Sequence, residues 1–169
     1  MLFVDLLRLT VLLIGGTASV LGLLTVVAAN QDADYTTVYF AGGWWVVAVV
    51  AGIILGSSPR ATQAMGRALA GAQTSTVLPT ESAGRIAFQR LWPIGAFAIV
   101  VGGLAWIWPQ VTGVGAGFAI LNALAWRGRE RAVTAIEERD GVAFFIERTS
   151  PVKPMQLVRT PGFRRLPAP

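Results

Sequence analysis

Leu91–Trp126 reads LWPIGAFAIVVGGLAWIWPQVTGVGAGFAILNALAW, 36 residues without a charged side chain, bracketed by Arg90 and Arg127. A transmembrane helix needs about 20 apolar residues to cover roughly 30 Å of hydrocarbon. The stretch is therefore long enough to cross a bilayer twice. Pro109-Gln110 is its punctuation and falls where the turn of such a hairpin belongs. This reading sets the expected class: an all-α polytopic membrane protein.

Composition agrees. Hydrophobic residues make up 54% of a 169-residue chain, too many for an ordinary soluble domain of this size. The chain has no cysteine, which removes disulfides, thiolate metal sites and cysteine nucleophiles. It has no histidine either, so the commonest general base and metal ligand is missing. Lys153 is the only lysine, and the other basic residues are arginine. Arginine over lysine, with abundant Ala, Gly and Val, points to a bacterial source of high GC content.

Working back from the hairpin, Arg60–Arg90 is the longest polar segment between apolar runs. Its first part, RATQAMGRALAGA, sets Ala64, Met65, Leu69 and Ala70 near one face of a short helix, with Arg60 and Arg67 elsewhere. An amphipathic surface helix and a loosely ordered linker are equally compatible with it. Before it, about residues 38–55 form a second span, closed by Ser57-Ser58-Pro59-Arg60. Gly52 and Gly56 in that span have the GxxxG spacing that lets helices approach closely in lipid. The first span covers about residues 7–29 and carries Gly15, Gly16, Ser19 and Gly22. It exceeds the apolar core of a signal peptide. Asp32 and Asp34 lie in the short loop between these two spans.

The hairpin itself supplies spans at about 87–108 and 111–126. Pro93 either marks the true start of the third helix or kinks it. Gly113 and Gly117 form a second GxxxG pair, and Asn122 is the clearest polar residue for a hydrogen bond across helices. There is a faint internal echo between Gly15-Gly16 and Gly102-Gly103.

After Arg127 the sequence becomes charged and then strand-like. Asp140-Gly141 precedes VAFFI at Val142–Ile146 and is a two-residue hairpin signal. Ala132–Glu138 is the expected partner strand, although its apolar residues also fit a continuation of the fourth helix. The hairpin is favoured because Gly128 interrupts the helix exit. Met155–Val158 is a further short strand.

The expected architecture is thus a four-helix transmembrane bundle over residues 1–127, with a loop at 58–86 and a basic, β-containing tail at 128–169. Every Arg and Lys falls at the N-terminus, in the 60–90 segment or in the tail, whereas the opposite side holds only Asp32 and Asp34. The positive-inside rule then puts both termini in the cytoplasm, across a bacterial inner membrane.

No ionisable residue sits deep in a span, which argues against a proton-coupled carrier or a voltage sensor. The acids near Asp140 are read as solvated, and no set of residues assembles into a catalytic, metal or cofactor site. The expected role is non-enzymatic: a small subunit or scaffold of a larger membrane complex. Gly15, Gly16, Gly52, Gly56, Gly113, Gly117 and Asn122 would pack helices. Arg148, Lys153, Arg159, Arg164 and Arg165 would engage a partner or lipid headgroups. Its partners would be other integral membrane subunits or further copies of itself, together with membrane lipids. Interleaved acids make nucleic acid a poor fit. The alternative is a homo-oligomeric channel or carrier for a small neutral or lipid-like solute.

Overall fold

The computed structural model describes residues 1–31, 35–74, 83–105, 107–108, 110–146 and 157–161. The chain is mostly helical, with α1 Phe3–Gln31, α2 Tyr35–Ser57, α3 Pro59–Ala70, α4 Ala83–Leu104 and α5 Gln110–Asp140. A small sheet is formed by β1 Gln73–Thr74, β2 Val142–Ile146 and β3 Leu157–Pro161. Helices α1, α2 and α4 are long and apolar enough to cross a membrane.

The second arm of the sequence hairpin, α5, is the centre of the molecule and packs chiefly against α1 and α2. Its first turns bury Thr112, Gly113, Gly115, Ala116, Gly117 and Ala119. A helix surrounded by other helices needs small volume more than high hydropathy, because close backbone approach replaces lipid contact. That suits the small-residue first half of α5; the helix is the least apolar of the long ones mainly because its second half, from Arg127 to Asp140, carries charges. The first arm, α4, contacts α5 much less, so sequence neighbours are not the closest partners.

Helix α1 meets α5 through Leu7, Ile14, Ala18, Leu21 and Thr25, at spacings of three, four and seven. This is the periodicity of helices crossing at a shallow angle. Near the far end of that seam, the Thr25 hydroxyl donates to the Leu21 carbonyl at 2.8 Å and lies 2.9 Å from the Thr112 hydroxyl. Both threonines are buried. Helix α2 buries only Ala41, Ala48, Gly52 and Gly56. A Cβ on Gly52 would stand 2.9 Å from the Leu121 carbonyl oxygen, and one on Gly56 would stand 2.8 Å from that of Leu124. A Cβ on Gly128 would collide with the backbone of Gly56. Gly128 therefore does not interrupt the helix exit. It is the point at which α2 and α5 come closest.

The hairpin expected at Asp140-Gly141 is not formed. Ala132–Glu138 continues α5, and the helix ends at Asp140 with Gly141 at a φ of 62°. A left-handed glycine serves a two-residue strand turn and a helix C-terminal cap equally well, so the dipeptide signal was ambiguous. Strand β2 pairs instead with β3, antiparallel, from Val142–Pro161 to Ile146–Leu157. β1 joins the other edge of β3 in parallel. Leu2 adds an antiparallel bridge to Phe145, and the Ile146 N–H donates to the Met1 carbonyl at 3.2 Å.

The sheet is not a separate tail. Val142, Phe144, Ile146 and Leu157 share one buried cluster with Phe3, Val4 and Leu7 of α1, Leu69 of α3, Ile86 of α4 and Val133 of α5. A sheet of this size is marginal alone. Burying each large apolar side chain contributes about 1.5–3 kcal/mol, so this shared cluster is what holds it. The Pro59–Ala70 segment is thus helical as α3, with Met65 and Leu69 turned into the cluster and Arg67 exposed. Helix α4 runs unbroken through Pro93, so Pro93 is not its start.

Two expectations follow. Gly56→Val and Gly128→Val should each lower stability in detergent by about 1–3 kcal/mol, since neither backbone can give way. A Thr25→Val, Thr112→Val double-mutant cycle read by thermal unfolding should give a coupling of roughly 0.6–1.7 kcal/mol.

Candidate functional site

The glycines expected to serve packing divide into two groups. Gly52, Gly56, Gly113 and Gly117 are buried inside the bundle. A Cβ on Gly113 would meet Ala41 and Thr25, and one on Gly117 would strike the Trp44 indole. Gly15 and Gly16 are different: a Cβ on either would have no neighbour within 4 Å, and the same holds for Gly102 and Gly103. The first group is used by the fold, whereas the second faces outward.

Sequence reasoning missed the role of the paired tryptophans. Trp45 donates its indole N–H to the Gly113 carbonyl at 2.8 Å, and Trp44 donates to Val114 at 3.1 Å. Trp44 also meets Phe118 edge-on, with ring centroids 5.4 Å apart. A tryptophan held in an apolar region finds a partner for its N–H, and two adjacent ones within an uncharged span were the available signal.

Asn122 does not bond across helices. It is exposed on α5, and its amide donates to the Phe118 carbonyl of its own helix at 2.9 Å. A polar side chain four residues from a carbonyl on the same helix can satisfy itself locally, so no second helix is required.

Among the described residues, the grooves bordering α5 and α1 include three between helices. The first, of about 620 Å³, opens between α1, α4 and α5. Helix α4 touches the bundle through Ile86 and Leu91, through Ile94 against Ile14, Ala18 and Ala119, and through Val101 over Gly115. Ile14, Ile94, Phe97, Ala119 and Trp126 form the groove's apolar wall, with Asn122 part-way and Arg90 on the lining. The second groove, of about 320 Å³, lies between α1 and α4 and is lined by Gly16, Val20, Ala98 and Gly102. The two halves of the glycine echo thus meet across one cleft. The third, of about 570 Å³, lies between the end of α2 and the middle of α5.

The arginine-bearing end of the bundle carries several paired charges. Arg8 bonds to Glu130 at 3.1 Å, an exposed pair worth about 0–1 kcal/mol. The guanidinium of Arg129 sits 4.6 Å above the Trp126 ring. Glu137, expected to be solvated, accepts the Phe144 N–H at 3.1 Å and ties α5 to β2. The hydrogen bond from Arg139 holds the Asp140 carboxyl below the usual carboxylate range, and the Arg139 and Arg159 charges act in the same direction. Arg159 is exposed on β3. Arg148, Lys153, Arg164 and Arg165 lie outside the described residues.

Among the described residues, no three His, Cys, Asp or Glu side chains converge on a point that would hold a metal ion. What this arrangement offers is apolar surface with a few polar atoms at its margins. No family model, curated protein or solved structure matches the chain. Asn122→Ala should change stability by less than about 0.5 kcal/mol, because it removes only a bond within one helix; thermal unfolding in detergent checks this.

Proposed function

We propose that this chain is a small non-catalytic subunit of a larger bacterial inner-membrane complex, and that the α1–α4 cleft receives a transmembrane helix of its partner. Helices α1, α2, α4 and the first half of α5 would form four spans, with both termini on the cytoplasmic side, where the arginines gather. The observation that carries this reading is the pair of open glycine sites, Gly16 and Gly102, lining one cleft from opposite helices. Small residues without a neighbour in the chain itself leave room for a further helix backbone. The loose seating of α4 supports the same reading, since a partner would complete its packing.

A second reading rests on the groove of about 620 Å³ between α1, α4 and α5. Its apolar wall and Arg90 suit a lipid-like solute, and a homo-oligomer would then carry it. Solute flux in liposomes, with a homo-oligomer as the sole purified species, would favour this second role.

The discriminating experiment is purification from the native membrane in nanodiscs, read by native mass spectrometry. Discrete masses of this chain with a stoichiometric partner are expected, and a stable lone chain would overturn the subunit reading. Gly16→Ile and Gly102→Ile should abolish that co-purification. Because their side chains enter open space, the stability of the chain alone should change by less than about 0.5 kcal/mol.

A further inference from the structure

The third groove has a feature the subunit reading does not use. It is lined by Ile53, Gly56, Ser57 and Leu124 on one side of the Trp126–Arg127 boundary and by Arg127, Gly128 and Arg131 beyond it. Arg127 and Arg131 are four residues apart on α5 and so share one helix face. Both are exposed. Other described arginines nearby are engaged: Arg8 with Glu130, Arg129 with Trp126 and Arg139 with Asp140. Arg127 and Arg131 have no ion pair or hydrogen bond among the described residues.

We propose that this groove binds one anionic phospholipid, with its phosphate between Arg127 and Arg131 and an acyl chain against Ile53 and Leu124. The charge and the apolar surface are ordered along the groove as they are along such a lipid. The cations stand just past the end of the uncharged Leu91–Trp126 run, at headgroup level, and Ile53 and Leu124 lie within the apolar segments. Gly56 and Gly128, whose backbones meet at the helix crossing, add no side chain to the groove wall. Guanidinium groups hold phosphate oxygens through paired N–H donors, and basic pockets between membrane helices suit anionic headgroups. The inference rests on the chain being embedded in a membrane and is independent of the partner assigned to the α1–α4 cleft.

The test is native mass spectrometry of the full chain released from nanodiscs of phosphatidylglycerol and phosphatidylcholine in equal amounts. One retained phosphatidylglycerol per chain is expected. The R127Q/R131Q double variant should bind it roughly thirtyfold more weakly. R127K/R131K should keep most of the binding, and R67Q/R85Q, which removes the same charge elsewhere, should keep all of it. Ala132→Trp fills the groove with both arginines in place and should also lose the lipid, so a folding defect in the glutamine variant does not shield the proposal. Equal retention of both lipids, unchanged retention in R127Q/R131Q and in Ala132→Trp, or displacement of the bound species by inorganic phosphate would each overturn it.

Discussion

The structure depends on how closely α2 and α5 can approach. At Gly56 and Gly128 there is room for hydrogen atoms and nothing larger. Gly52 extends the contact by one turn, against the backbone of Leu121. Van der Waals contact between backbones does in lipid what burial of large side chains does in water, because the acyl chains are as apolar as leucine and provide no hydrophobic drive between helices. Once this crossing is fixed, the rest of α5 is positioned. Its first turns lie against Thr25, Ala41 and the two tryptophan indoles, and its later turns project beyond the uncharged stretch as far as Asp140.

That projection builds the arginine end. Helix α5 reaches past Trp126 as a rigid rod, and its Val133 becomes the floor of a cluster that collects the start of α1, Leu69 of α3, Ile86 of α4 and the inward residues of β2. Alternation along β2 turns Val142, Phe144 and Ile146 toward the cluster. The bridge from Leu2 to Phe145 draws the start of the chain onto the same sheet. Segments far apart in sequence therefore form one packed layer at the end of the bundle. This layer fixes where α1 begins, and so which residues of α1 face α5.

Helix α4 is the exception to this close packing. It packs on the bundle more lightly than α1 or α2, and the clefts beside it remain open. A helix held that way leaves open surface beside it, whereas the α2–α5 crossing leaves no space between the two backbones at Gly56 and Gly128.

The sequence by itself determined the class of object. Uncharged runs of membrane-crossing length and the absence of histidine and cysteine are all composition, and composition is set before any packing occurs. It also marked the GxxxG pairs, since small-residue spacing follows helix geometry directly. It did not reveal which glycines the fold consumes and which it leaves open, because Gly52 and Gly16 look alike until a neighbour is placed beside each. Nor did it settle Asp140-Gly141, where a positive φ suits a strand turn and a helix cap alike. Asn122 was misread for a similar reason, as its bonding partner proved to be a carbonyl on its own helix. Only the tertiary structure decided these, since each depends on which surfaces meet, and α5 meets α1 and α2 before it meets the helix next to it in sequence.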